Sequence, residues 1–120
     1  MSNEGTGAAA APHSGDPSKR RYPRFTIDTR VQAQVFRAGT INSAWGRSWE
    51  MGEDGMSGTL SGDLEPGEVV TLEFTLPHGR EPIKVRAVVR HRAGYRYGFE
   101  FLTLTDAQRE QMRDTFQHME

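Results

Sequence analysis

Residues 69–101 read VVTLEFTLPHGREPIKVRAVVRHRAGYRYGFEF, and this stretch decides the fold class. Val70, Leu72, Phe74 and Leu76 alternate with Thr71, Glu73 and Thr75. Ile83, Val85, Ala87 and Val89 repeat the pattern, and Tyr95, Tyr97, Phe99 and Phe101 repeat it again. A period of two sends successive side chains to opposite faces of an extended chain, so each run reads as a strand with one buried side. Pro77-His78-Gly79 and Ala93-Gly94 supply the turns between the runs.

The same period extends upstream. Phe25, Ile27, Val31, Ala33 and Val35 fall on one face, with Asp28, Arg30, Gln32 and Gln34 on the other. That is the pattern of one half-buried antiparallel strand. A turn centred on Gly39 leads to a second strand around residues 41–51, which carries Trp45 and Trp49 four residues apart on one face. Those two rings are expected to pack in the core or on the barrel face. Gly52 and Gly55 flank an acidic turn, residues 56–60 form a short strand, and Gly62 and Pro66-Gly67 break the chain again. Short strands joined by tight turns predict a mainly-β fold, a closed barrel or sandwich of five or six antiparallel strands. The C-terminus differs: Thr105-Asp106-Ala107-Gln108 fits a helix capping box. Met112, Phe116 and Met119 then share one face of a terminal helix.

Composition narrows the function classes. A chain of 120 residues predicts one domain with one modest core. The formal net charge of −1 opposes a nucleic-acid binder held by bulk charge, so any anion site must be local. The absence of cysteine excludes disulfides and thiolate metal sites. No run approaches the roughly 20 apolar residues of a membrane helix, and the short Ala run near the N-terminus has no basic segment ahead of it, so no export signal is read and the expected location is cytoplasmic. Residues 1–18, rich in Gly, Ala, Ser and Pro, are expected to be a disordered tail, with the folded domain spanning 19–120.

Between tail and first strand stands Lys19-Arg20-Arg21-Tyr22-Pro23-Arg24, four cations and one aromatic in six residues. Pro23 keeps the segment out of a helix interior and biases Tyr22 to extended backbone. Arginines on a short extended arm can converge on a phosphate, where the planar guanidinium gives bidentate, charge-assisted bonds. The plain alternative is a solvated charge run.

The arm, the strand after it and the order of later elements resemble the PilZ domain family. Arg20 and Arg24 match the RxxxR element that opens those domains. Tyr95-Arg96-Tyr97-Gly98-Phe99-Glu100-Phe101 before a short helix resembles the family's closing strand. The resemblance covers about residues 19–118. It implies a six-stranded antiparallel split β-barrel with a C-terminal helix that binds cyclic di-GMP and catalyses nothing. Arg20 and Arg24 would grip phosphates and stack on guanines, with Arg21 assisting. The family's second motif, D/N-x-S-x-x-G, falls on residues 50–55 and departs at two of three signature positions: Glu50 replaces Asp or Asn, Gly52 replaces Ser, and Gly55 is retained. The longer Glu50 and the lost hydroxyl together cost about 1.5–4 kcal/mol, or about 10- to 1000-fold in affinity. The expected ligand residues are therefore Arg20, Arg21, Arg24, Glu50, Gly52 and Gly55, with no cofactor, no metal and no membrane or nucleic-acid partner. The alternative is a PilZ-type adaptor that does not bind cyclic di-GMP and acts through a protein partner.

Other constellations carry less. His13 and His118 lie near the termini, His78 in a turn, and His91 in the basic run Arg90-His91-Arg92; none has metal-ligand spacing. His91 reads as an exposed strand residue, with base stacking or phosphate contact as its functional alternative. No nucleophile elbow or phosphate loop occurs.

Overall fold

The computed structural model describes residues 22–79 and 81–119. The expected tail, His13, Lys19, Arg20 and Arg21 lie outside them. The described chain forms β1 (Phe25–Thr26), β2 (Arg30–Arg37), β3 (Thr40–Gly52), β4 (Gly55–Ser61), β5 (Val69–Phe74), β6 (Ile83–Ala93), β7 (Arg96–Thr103) and α1 (Asp106–Gln117). Strands neighbour one another in the order β3-β2-β5-β6-β7-β4, and β4 pairs back onto β3. The six-stranded antiparallel barrel with a terminal helix is therefore present. All neighbours are antiparallel, and closure removes the free edges that an open sheet would expose.

The alternation that predicts the strands also fills the barrel. Val31, Ala33 and Val35 of β2, Val70, Leu72 and Phe74 of β5, and Tyr97 and Phe99 of β7 are all buried inside. Tyr97 is wholly buried, and its hydroxyl donates to the Gly62 carbonyl at 2.9 Å and accepts from the Leu64 amide at 3.2 Å. A phenol can be buried at low cost when its oxygen is satisfied in this way. The capping box starts α1 as the sequence indicates, with Thr105 and Gln108 exchanging both bonds. Met112 and Phe116 of α1 are buried, and Phe116 stacks on Phe25 at 4.9 Å. Met119 departs from expectation: α1 ends at Gln117, so Met119 leaves the helical stripe and is exposed. Tyr95 likewise sits in the turn before β7 and is exposed.

The first expected strand is split. Phe25 and Thr26 pair with Met51 and Glu50, whereas Arg30 pairs with Arg47. Four steps along the first segment thus match three along β3, which is one extra residue in the ladder. Ser48 repairs the gap. Its hydroxyl donates to the Ile27 carbonyl at 2.5 Å and accepts from the Thr29 amide at 3.1 Å, and the side chain is buried. The β3–β4 ladder also shifts register between Ser48 and Glu50. Ala44 and Ser48 point inward, yet so does Met51, three residues on. The irregularity turns Trp49 and Glu50 both outward, and a regular strand would have buried Glu50 with Ser48. Trp45 and Trp49 occupy the outer face of β3, about half exposed.

At the other end of the barrel, Arg37 grips Glu68 with a two-point fork, Nε to Oε2 at 2.7 Å and Nη2 to Oε1. Arg37 also donates to the Asp63 carbonyl at 2.6 Å, tying β2 to the loop before β5. The hydrogen bonds from Arg37, chief among the causes, hold the Glu68 carboxyl below its ordinary range. Among the described residues no helix is long and apolar enough to cross a membrane.

Two stability outcomes follow from these contacts. Ser48→Ala leaves the Ile27 carbonyl and Thr29 amide without their buried partner and should cost about 1–3 kcal/mol, read as a lower urea midpoint at unchanged slope. Glu68 has a depressed folded-state pKa, so its stabilisation is complete above the unfolded value and lost as pH falls through the folded one. Glu68→Gln should therefore melt below wild type at pH 7, with the gap closing as pH drops below about 4; an equal gap at both pH values would contradict the linkage.

Candidate functional site

Arg24 enters the barrel at the tip of the β3–β4 hairpin. Pro23 precedes it and is exposed, and Phe25 follows it with its ring against α1, so the Arg24 side chain is sent to the opposite side from its neighbour. The side chain crosses Gly52. A Cβ at Gly52 would stand 2.6 Å from the Pro23 carbonyl oxygen and 2.9 Å from Arg24 Cδ. Backbone and guanidinium stem thus occupy the space that any larger residue at 52 would need. The substitution of Ser by Gly in the second motif removes a hydroxyl and at the same time lets the arm lie directly on the hairpin.

Two carboxylates face the guanidinium. Arg24 Nη1 is 3.5 Å from Glu50 Oε1, and Nε is 3.3 Å from Asp54 Oδ1. The Arg24 side chain is 15% exposed, against 38% for Glu50 and 36% for Asp54, so the cation is held under partners that remain open to water. Pairs of this length and exposure contribute about 0–1 kcal/mol each. Arg24 is therefore positioned firmly by packing and only lightly by charge.

The two turn residues of the hairpin diverge. Asp54 faces Arg24, whereas Glu53 faces α1, accepting from Arg113 Nε at 3.1 Å and from Arg109 Nη1 at 3.5 Å. The Asp54 carbonyl accepts from the Phe101 amide at 2.9 Å, which fixes the turn to β7. Gly55 is buried, and a Cβ there would meet the Phe99 carbonyl at 2.1 Å. Its presence follows from the close approach of β4 to β7.

Of the six residues singled out from the sequence, Arg24, Glu50 and Gly52 thus converge, Gly55 lies beneath them in the β4–β7 packing, and Arg20 and Arg21 fall outside the described residues. Asp54, in the acidic turn between Gly52 and Gly55, is also a direct partner of Arg24. The role of Ser48 was not apparent, because a lone serine in an alternating run carries no signal of a bulge. Among the described residues no group of three His, Asp or Glu side chains is arranged to hold a metal ion.

A family model for the PilZ domain matches residues 18–117. The fold is similar to that of the Bacillus subtilis inhibitor of motility MotI/DgrA, with 18% identity and a TM-score of 0.69 over 83% of this chain and 51% of that one. The chain therefore spans about half the length of that structure. It is also similar to the PilZ domain of Escherichia coli YcgR, solved with c-di-GMP, at 20% identity and a TM-score of 0.62 over 82% of this chain and 90% of that one. A PilZ domain of CeSA from a cellulose-synthesizing bacterium matches with 15% identity and a TM-score of 0.60, over 81% and 98% of the two chains. No curated protein matches the chain.

Gly52→Ala tests the packing of the arm. The added methyl must displace Pro23 and Arg24, so the backbone amides of Phe25 and Asp54 should shift in a two-dimensional NMR spectrum. Stability should fall by about 1–3 kcal/mol. Unmoved resonances at both positions would show that the arm does not rest on residue 52.

Proposed function

The chain belongs to the PilZ domain family, and from that premise we propose that it is a non-enzymatic cyclic di-GMP receptor whose ligand sits where Arg24 meets the β3–β4 hairpin. The observation that carries the reading is the Arg24 guanidinium lying across Gly52 with Glu50 and Asp54 at 3.5 and 3.3 Å. The ligand has two phosphodiester anions and two guanines. A phosphodiester oxygen takes the place of Asp54 beside Arg24, and a guanidinium gives a phosphate paired, charge-assisted bonds that the long carboxylate contacts lack. The Glu50 carboxylate can accept from guanine N–H groups. Arg20 and Arg21, next along the arm, add cations against the second diester.

The response follows from what the arm touches. Phe25 stacks on Phe116, and Glu53 joins Arg109 and Arg113, so both sides of the ligand site are fastened to α1. A ligand that draws Arg24 away from the hairpin biases those fastenings and alters the surface that a protein partner meets.

Calorimetric titration with cyclic di-GMP tests the reading. Arg24→Ala should weaken binding by about 10- to 100-fold, the loss of a charge-assisted contact. Asp54→Asn removes a competing carboxylate and should tighten binding by up to about fivefold. Wild-type heat that persists unchanged in Arg24→Ala, or no heat at millimolar ligand, would end the proposal.

A further inference from the structure

The ladder registers line up four outward residues across neighbouring strands. Glu50 of β3 is opposite Ser57 of β4, Ser57 is opposite Gly98 of β7, and Gly98 is opposite His91 of β6. The row begins at the carboxylate that Arg24 touches and runs about 14 Å across three inter-strand steps on the outside of the barrel. Its centre is bare: Gly98 is buried, and the cover is the His91 ring. A Cβ at Gly98 would stand 2.9 Å from His91 Cε1, 3.0 Å from Nδ1 and 3.5 Å from Nε2. The imidazole therefore lies directly over the glycine, while His91 itself is exposed. Only a residue without a side chain at 98 permits this placement.

What borders the imidazole is chemically specific. Along β7, Gly98 has Arg96 on one side and Glu100 on the other, both outward, and Glu100 is engaged by Arg90 Nε at 2.6 Å. Arg96 is not so engaged. Its guanidinium stands 5.0 Å from the Trp49 ring centroid, and among the described residues it has no carboxylate partner. Trp49 is in turn held by its Nε1 donating to Thr59 Oγ1 at 3.0 Å. The outer face beside the junction thus presents an exposed aromatic ring seated on a glycine, with an uncompensated guanidinium braced by an indole next to it. A planar, electron-rich base with acceptors on its edge fits this combination: the imidazole offers a face, and the guanidinium and the Ser57 hydroxyl offer donors.

We propose that His91, seated on Gly98, is the base-stacking residue of the nucleotide site, and that Arg96 reads the edge of the stacked guanine. The assignment rests on the cyclic di-GMP reading of the same site and adds a platform about 14 Å wide to the arm and hairpin. It supplies contacts from β4, β6 and β7 that offset the changes at Glu50 and Gly52. Neither His91 nor Arg96 is part of the core, so both can be replaced without loss of fold.

The test titrates the full chain with cyclic di-GMP by calorimetry, comparing wild type with His91→Ala, His91→Phe and Arg24→Ala, and follows the His91 Cε1 proton by NMR during the wild-type titration. Base stacking on a side chain is lost on truncation, so His91→Ala should weaken binding by about 5- to 100-fold. His91→Phe should restore most of it, because a ring face and not a hydrogen bond is required. The wild-type Cε1 proton should move upfield under the ring current of the guanine. Arg96→Ala should narrow the preference for cyclic di-GMP over cyclic di-AMP. Binding that falls in Arg24→Ala but is unchanged in His91→Ala, with the imidazole proton unmoved, removes the His91 assignment and leaves the receptor reading standing. Absence of binding by the wild-type chain removes both.

Discussion

A single buried hydroxyl governs how this barrel meets its arm. Between Thr26 and Arg30 the ladder against β3 gains one residue, and Ser48 fills the resulting gap with bonds to Ile27 and Thr29. A second irregularity, the register shift against β4 between Ser48 and Glu50, breaks the alternation of β3, which would otherwise carry Glu50 into the interior. An unpaired carboxylate there would cost several kcal/mol. With the shift, Trp49 and Glu50 both reach the outer face while Met51 returns to the core. Bulges of this kind bend a strand and re-aim side chains, and here the re-aimed residues border the candidate site.

The electrostatics of the junction differ from those at the far end of the barrel. Arg24 is mostly covered, but its contacts to Glu50 and Asp54 are long, and both acids remain open to solvent. Contrast the Arg37–Glu68 fork at the far end of the barrel, where two short bonds and a third to a loop carbonyl fix a structural corner. The same residue types meet in two geometries: bidentate and short at Arg37–Glu68, single and long at Arg24. Gly52 completes the arrangement by giving up a side chain so that the arm can rest on backbone.

The terminal helix belongs to this junction as much as to the core. Its inner face contributes Met112 and Phe116 to the barrel mouth, and Phe116 stacks on the residue that follows Arg24. Its outer turns contribute Arg109 and Arg113 to Glu53, one residue before Asp54. Arm, hairpin and helix therefore form one cluster, in which the two acids at the hairpin tip face two different cationic partners. Contiguous contacts join Arg24's neighbours to α1: the packed Phe25–Phe116 rings on one side and, at the hairpin tip, the ion network of Glu53 with Arg109 and Arg113 on the other.

Much of the fold was legible in the chain. The period of two in residues 69–101 gave β5, β6 and β7 their inward faces, the capping box gave the start of α1, and the Gly and Pro positions gave the turns, because these signals are local and each residue's environment follows from its neighbours. Met119 and Tyr95 were misplaced where a periodic pattern ran past the end of its element, since periodicity does not encode where hydrogen bonding stops. The arginine arm and the acidic turn were visible as candidates. That Asp54 and not only Glu50 faces Arg24, that Gly52 lies under the arm, and that His91 sits on Gly98 were not, because each depends on residues 7 to 30 positions apart being brought together. Sequence alone determined the strands and the helix; the pairing of β1 with β3, of β2 with β5 and of β4 with β7, and with it the contacts across the candidate site, was decided by tertiary structure, since register between strands distant in the chain is set by how the whole barrel packs.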